Sequence, residues 1–415
     1  MEPIRRPLDL QPMLAGLVTA LVGFTSSYAV VLAGLRGVGA STEQAASGLL
    51  AVCLTQALGM LWLTHRYRIP LTLAWSTPGA AVLAGSGVPD GGWPAAVGAF
   101  GATGALILAT ALWPRLGALI ALIPASLAQA MLAGVLLSLC IAPVTGVVDH
   151  PWLVGPPVLV WLVLVRLAPR WAVPAAFAVA LATIGLDLAT DGGWQGPVLP
   201  HLELTTPRLS WGALVGIAIP LYVVTMASQN VPGVAVMSGY GYAVPWRSTM
   251  AVTGTGTMIG SVAGGHAINL AAITAALAAS PDAHPDPARR WIAARTAAWA
   301  YLVLALLSTA LTSLVSAAPT GVVQAVAGLG LFATLGSALA GALGAATGRE
   351  SAVVTFLVAA SGVTLAGVGA AFWALLAGLV VLVALGGARP GLSRSSDPRH
   401  GTSEPTASRD PDPLR

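Results

Sequence analysis

The 415-residue chain is 56% apolar and only 8% charged, with a mean hydropathy of +0.82. Soluble chains carry about 25% charged residues because a folded surface must meet water, so this composition excludes an ordinary soluble enzyme, a disordered protein and a nucleic-acid-binding protein. All 19 basic residues are Arg, and a net charge of +4 spread this thinly reflects membrane topology, not an acidic partner. The two cysteines, Cys53 and Cys140, lie in apolar stretches without metal-ligand spacing; no disulfide, metal site or cofactor is expected from them.

A membrane-crossing helix needs about 20 apolar residues, since lipid cannot satisfy a bare backbone. Residues 1–11 carry Arg5 and Arg6 and lead into an apolar run too long for a cleaved signal. In chain order, twelve runs meet the requirement: 14–35, 45–64, 95–113, 126–143, 153–167, 172–188, 209–227, 248–263, 291–316, 329–346, 352–370 and 372–386. Two more apolar segments are short and broken. Residues 71–86 are interrupted at Ser76-Thr77-Pro78-Gly79, and residues 265–279 are opened by Gly264-Gly265. The expectation is an all-α polytopic membrane protein with fourteen crossings.

Arginine placement supports that count, because positively charged loops stay cytoplasmic. With the N-terminus inside, only Arg36 and Arg208 of the 19 arginines fall outside. Dropping one broken segment inverts every loop between the two and destroys the bias. Both termini are therefore expected in the cytoplasm. The halves have nearly equal length, and each places its broken segment third. Each also has a Pro-led stretch before its fifth span, at 114–123 and 319–328, followed by Leu-Ala-Gly at 132–134 and 339–341. Seven spans per half make the second half inverted, the signature of an alternating-access carrier. The polar interval 187–208 joins the halves outside, and the Pro-, Ser-, Asp- and Arg-rich tail from residue 389 lacks the apolar surface to fold.

The first broken segment reads as an extended stretch ending at Ser76 or Thr77, then a half-helix from Pro78, because Ser or Thr caps free amides and Pro favours the first turn. At mid-membrane depth, Ser76, Thr77, Pro78 and Gly79 would present unpaired N–H groups and a partial positive charge to an anion. In the second, Gly265, His266 and Ala267 are expected to open the matching half-helix. His266 is the histidine deep in an apolar segment, and an ionisable group there is a functional candidate. The chain has two asparagines, Asn230 and Asn269. Each lies in a polar motif, the first beside Gln229, as ligand donors or as amides joining helices. No carboxylate stands in mid-span, which leaves His266, Glu350 or the substrate's own carboxylate to carry a coupled proton. Tyr28, Tyr222 and Tyr301 could bond a ligand but read first as packing. Asp282, His284 and Asp286 in the proline-rich loop 281–290 read as a stiff cytoplasmic turn and not as a metal site.

Four motifs in order, Ala-Trp-Ser-Thr-Pro-Gly-Ala-Ala at 74–81, Ala-Ser-Gln-Asn-Val-Pro-Gly at 227–233, Gly-Gly-His-Ala-Ile-Asn-Leu-Ala-Ala-Ile-Thr at 264–274 and Ala-His-Pro-Asp-Pro-Ala-Arg-Arg-Trp at 283–291, resemble the benzoate:proton symporter family. The resemblance spans about residues 10–388. That family is similar in architecture to nucleobase permeases and sulfate carriers. The resemblance implies a seven-plus-seven inverted repeat in which spans 3 and 10 each pair a short strand with a half-helix. It also implies a core domain of spans 1–4 (12–113) and 8–11 (209–316), and a gate domain of spans 5–7 (114–189) and 12–14 (317–388). The linker 190–208 lies outside. The implied activity is import of benzoate or a similar aromatic carboxylate with a proton through a bacterial-type inner membrane, with no enzymatic reaction and a possible homodimer. In nucleobase carriers, acids on spans 8 and 10 hold substrate or proton. Here Gln229, Asn230 and His266 occupy those neighbourhoods, which suits an anionic substrate. A nucleobase or inorganic-anion carrier of the same fold, or an anion channel, remains as an alternative.

Overall fold

The computed structural model describes residues 10–113, 123–190, 193–194, 196–319, 321–344, 348–365 and 368–385. Residues 1–9, the stretch 114–122 and the tail from 386 lie outside the described residues. Among those described, seven helices are long and apolar enough to cross a membrane: Leu10–Gly37 (α1), Thr42–Tyr67 (α2), Gly92–Leu112 (α4), Ala125–Asp149 (α5), Pro169–Thr190 (α7), Trp211–Gly239 (α8) and Val322–Leu343 (α13). An eighth arises if Pro287–Leu306 and Ser308–Ser316, bent by 52°, form one span. Their regular helical parts are α11 (Trp291–Leu306) and α12 (Ser308–Ser316). Shorter helices are α3 (Thr77–Ser86), α6 (Pro151–Leu167), α9 (Trp246–Ser261), α10 (Ile273–Ala279), α14 (Arg349–Ala360) and α15 (Ala370–Ala384).

Among the described residues, two three-residue strands, β1 (Leu73–Trp75) and β2 (Ile268–Leu270), pair antiparallel deep inside. Leu73 faces Leu270, Ala74 faces Asn269 and Trp75 faces Ile268. The pairing extends at each end, with Ser76 N–H donating to Ala267 O at 2.8 Å and Ala271 N–H to Thr72 O at 3.0 Å. Short non-helical backbone at this depth persists because each strand satisfies the other.

Several expectations need correction. The Gly264-Gly265 pair closes α9 and does not open a half-helix. Gly264 adopts φ +85°, and the amides of Gly265 and Gly264 return to Gly260 O (2.9 Å) and Ser261 O (2.7 Å), the Schellman pattern that glycine permits. His266 consequently precedes β2, and the half-helix α10 begins at Ile273. The expected end of the eighth span near residue 227 is also displaced, since α8 runs unbroken to Gly239. It contains two π turns, Leu214–Ala218 and Met226–Asn230, preceding Pro220 and Pro232. A proline withholds its N–H and crowds the carbonyl four residues back. Those carbonyls belong to Gly216 and Ser228, both within the wide turns, so the helix bulges without stopping. Residues 352–370 do not form one span: α14 ends at Ala360, followed by a turn with Gly362 at φ +63°. Most of the Pro-led stretch 319–328 is helical, because α13 begins at Val322.

The segment between the halves is bound over one end of the bundle. Glu203 N–H donates to Ser47 Oγ (2.9 Å), Thr205 N–H to Val262 O (2.8 Å), Arg208 N–H to Pro94 O (2.9 Å) and Ser313 Oγ to Pro197 O (2.8 Å). Gly98 permits the closest approach, since a Cβ there would collide with the Arg208 carbonyl.

Candidate functional site

Ser76 follows β1 and caps α3. Its Oγ accepts the Gly79 amide at 3.1 Å and shares a 2.7 Å hydrogen bond with Thr225 Oγ1 of α8. Pro78 occupies the first turn, where its missing N–H costs nothing. Gly79 is required by space: a Cβ there would collide with Leu221 Cδ1 and stand 2.7 Å from Ser76 Oγ. Ser76, Pro78 and Gly79 are buried and Thr77 is half-buried.

The second segment crosses immediately beside this cap. His266, 1% exposed, sets Nε2 3.3 Å from the Ser76 carbonyl oxygen. A carbonyl only accepts, so Nε2 carries the proton of this bond. His266 Nδ1 is buried without a partner, as is Asn269 Oδ1, while Asn269 Nδ2 donates to Leu270 O at 3.0 Å. Buried polar atoms usually find partners; here the two acceptors Nδ1 and Oδ1 have none among the described residues.

Asn230 has a different position from the expected donor. Its Oδ1 accepts the Leu270 amide at 2.8 Å and its Nδ2 meets Met226 Sδ at 3.2 Å. It therefore tethers β2 to the π turn of α8, while Thr257 Oγ1 ties the same strand to α9 by accepting the Ile268 amide at 3.0 Å. The neighbouring Ser228 Oγ is buried without a partner, and Gln229 is half-buried. Gly265 and Ala267 are buried at the entry to β2, Ala267 as the acceptor for Ser76 N–H. Glu350 is exposed in the first turn of α14, which packs on α5 and α15, away from the strand crossing.

An aromatic cluster covers the same region. Phe24 stacks on Tyr28 (centroids 5.4 Å) and meets Trp75 edge-on (5.5 Å); Tyr301 meets Trp75 at 6.1 Å, and Phe177 of α7 meets Tyr28 at 5.3 Å. Trp75 Nε1 donates to Ser27 Oγ at 2.7 Å. Buried aromatics pay for no charge but offer a ring-shaped apolar wall with specific edge geometry.

A family model described as benzoate membrane transport protein matches residues 7–384. The chain belongs to that family. Within the benzoate membrane transport family, the chain is 40% identical to the inner membrane protein YdcO of Escherichia coli strain K12 over 376 residues, covering 90% of this chain and 95% of YdcO. It is 26% identical over 385 residues to the benzoate membrane transport protein of Acinetobacter baylyi, covering 92% and 96% of the two chains. Its fold is similar to the transmembrane domain of the cyanobacterial bicarbonate transporter BicA, with a TM-score of 0.60 at 16% identity over 90% of this chain and 98% of that one. The family assignment makes this a membrane transport protein, built on a fold it shares with anion transporters.

Sequence reasoning brought together Ser76, Thr77, Pro78, Gly79, Gln229, Asn230, His266 and Asn269, and the structure gathers them around one strand crossing. Thr225, Thr257, Phe24, Trp75 and Phe177 were not among the expected residues, whereas Tyr28 and Tyr301, read as packing, do pack within the aromatic set. Trp75 lies within the 74–81 motif, a signal readable in the sequence. The others lie on helices whose facing is decided only by packing.

Proposed function

We propose that this protein is a secondary transporter moving benzoate or a similar aromatic carboxylate together with a proton across the bacterial inner membrane by alternating access. The observation that carries this reading is the pairing of a capped helix start at Ser76–Gly79 with the partnerless Nδ1 of His266 and Oδ1 of Asn269, all buried beside an aromatic wall. A carboxyl group suits that setting. The dipole of the α3 start favours its charge, Asn269 Oδ1, an acceptor, takes a hydrogen bond from the protonated acid, and Phe24, Trp75 and Tyr301 offer aromatic neighbours to its ring.

Proton coupling follows from the tautomer. With Nε2–H committed to Ser76 O, Nδ1 of neutral His266 takes the proton that accompanies the anion, or accepts a hydrogen bond from the protonated acid. The resulting imidazolium–carboxylate contact neutralises both charges in lipid, where an isolated charge is costly. Movement of a core (spans 1–4 and 8–11) against a gate (spans 5–7 and 12–14) then exposes the site alternately. This reading includes fourteen crossings in a seven-plus-seven inverted repeat and cytoplasmic termini, supported by the arginine bias. The Phe177–Tyr28 contact falls on the proposed boundary between gate and core.

The test is uptake of labelled benzoate into proteoliposomes with and without an imposed inward proton gradient. Gradient-stimulated, saturable uptake displaced by unlabelled benzoate supports the reading. Displacement by uracil or sulfate in place of benzoate reassigns the substrate, and non-saturating currents far above carrier turnover make the protein a channel.

A further inference from the structure

The end of the bundle bearing Arg66 and Arg68 contains a groove of about 730 Å³ between α1, α2 and α11, with Leu61, Trp62, His65, Ile292, Arg295 and Trp299 among its walls. It is open to the outer face of the helices: Trp62 is 50% and Trp299 58% exposed. Tryptophans at this level sit where hydrocarbon meets headgroups. The arginine bias assigns this end to the cytoplasm.

The charge at the groove is one-sided. The guanidiniums of Arg295 and Arg68 both lie 4.5 Å from the centroid of the same indole, Trp291. Among the described residues no carboxylate forms a salt bridge with either; the ion pair seen is Arg170–Asp282, which involves α7 and the loop after α10. Arg68 is held there by an uncommon backbone. It is the non-glycine residue with positive φ (54°) among those described, and its amide caps α2 on Thr64 O at 3.0 Å. Left-handed geometry is disfavoured for a side-chain-bearing residue, yet here it delivers a second guanidinium to an indole already occupied by one. Arg295 and His65 line the groove and Arg68 lies against the same indole as Arg295; with no carboxylate ion-paired to either arginine among the described residues, this end of the groove is complementary to an anion.

We propose that this groove binds an anionic phospholipid, its phosphate held by Arg68, Arg295 and His65 and its acyl chain laid along Leu61, Trp62, Ile292 and Trp299. The apolar walls decide the source of the anion. A free inorganic ion satisfies the guanidiniums but leaves those walls uncovered, whereas a lipid satisfies both from the bilayer that the groove faces. None of the groove's walls belongs to the Ser76–His266 crossing, and the proposal stands independently of the transport reading.

The experiment is native mass spectrometry of the full chain released from detergent after titration with phosphatidylglycerol or phosphatidylcholine of identical acyl chains. The expected result is a first phosphatidylglycerol-binding step that is tighter than that for phosphatidylcholine. It weakens roughly fivefold in each of Arg68→Gln and Arg295→Gln, and further in the double variant. Arg166→Gln, at the end of α6, leaves it unchanged. Arg295→Lys, which keeps the charge, retains most of the preference. If Arg68→Gln does not yield folded protein, Arg68→Gly serves, because glycine adopts the left-handed conformation without strain. Equal binding of the two lipids, a preference that persists in the double variant, displacement of phosphatidylglycerol by inorganic phosphate at matching concentration, or a dimer whose formation excludes lipid from the groove would each overturn the proposal.

Discussion

His266 Nε2 stands 3.3 Å from the carbonyl oxygen of Ser76, although the two residues are 190 positions apart in the chain. Ser76 is the cap of one half-helix and His266 leads into the strand before the other, so this contact joins the two broken segments at the point where each leaves regular structure. It also fixes which imidazole nitrogen is free, and the proposed coupling depends on that nitrogen.

His266→Ala is expected to lower benzoate uptake at least tenfold and to abolish its dependence on the proton gradient, since a charged hydrogen bond to the carboxylate is worth about 1.5–3 kcal/mol. His266→Gln keeps a donor toward Ser76 O but cannot take a proton, so residual uptake in that variant should be insensitive to the gradient. Retained gradient stimulation in both variants would sink the coupling role. Uptake initial rates at several external pH values provide the measurement.

The two asparagines should separate. Asn230→Ala strands the buried Leu270 amide and is expected to destabilise the protein by about 1–3 kcal/mol, read as a fall in the thermal melting point in detergent. Asn269→Ala removes an oxygen that has no partner together with the Nδ2 hydrogen bond to Leu270 O, so its melting point should fall as well, while a rise in KM for benzoate is expected in this variant and not in Asn230→Ala. The reverse pattern would show that Asn230 faces the ligand and Asn269 the scaffold.

Gly79→Ala places a methyl group against Leu221 and 2.7 Å from the capping Ser76 Oγ. Overpacking of this kind costs about 1–3 kcal/mol and displaces the α3 start. Transport should fall by an order of magnitude or more, and shortening the obstructing side chain with Leu221→Ala should restore part of it. No rescue in the double variant would show that the obstruction is not at Leu221.

Arg290 is 6% exposed and donates to His284 O (2.7 Å), Ala279 O (2.9 Å) and Pro285 O (3.2 Å). The motif 283–291 is thus a folded clip that closes the last turn of α10. Arg290→Ala is expected to cost about 3 kcal/mol or more, and Arg290→Lys to recover only part, because an ammonium cannot span three carbonyls as the planar fork does. Thermal denaturation of the three proteins, with reconstituted uptake measured below their melting points, decides it. Equal melting points would mean that the clip holds without the guanidinium.

How much was legible follows from what each signal depends on. The long apolar helices are set by runs of lipid-compatible residues, which need no partner to be recognised, and α1, α2, α4, α5 and α7 follow their predicted runs closely. The broken segment at 71–86 was equally readable, because Ser-Thr-Pro-Gly is a local capping signal and its strand-then-helix form depends on neighbours in sequence. Its counterpart was not. Gly264-Gly265 permits either the opening of a helix or the closing of the one before it, and the choice belongs to the close packing of Gly264 on Trp93 and Gln44.

Composition, arginine placement and four short motifs by themselves determined a polytopic membrane protein, its family, and most of the polar residues that meet inside it, since each of these is written in local chemistry. Only the tertiary structure decided that β1 pairs with β2, that Asn230 tethers a strand while Asn269 leaves an oxygen unpartnered, and that five aromatic side chains from four helical or strand elements close around the crossing. Those outcomes depend on which faces of α1, α7, α8 and α11 turn inward. In a helix that is apolar on every side, no periodicity in the sequence distinguishes the face that meets protein from the face that meets lipid.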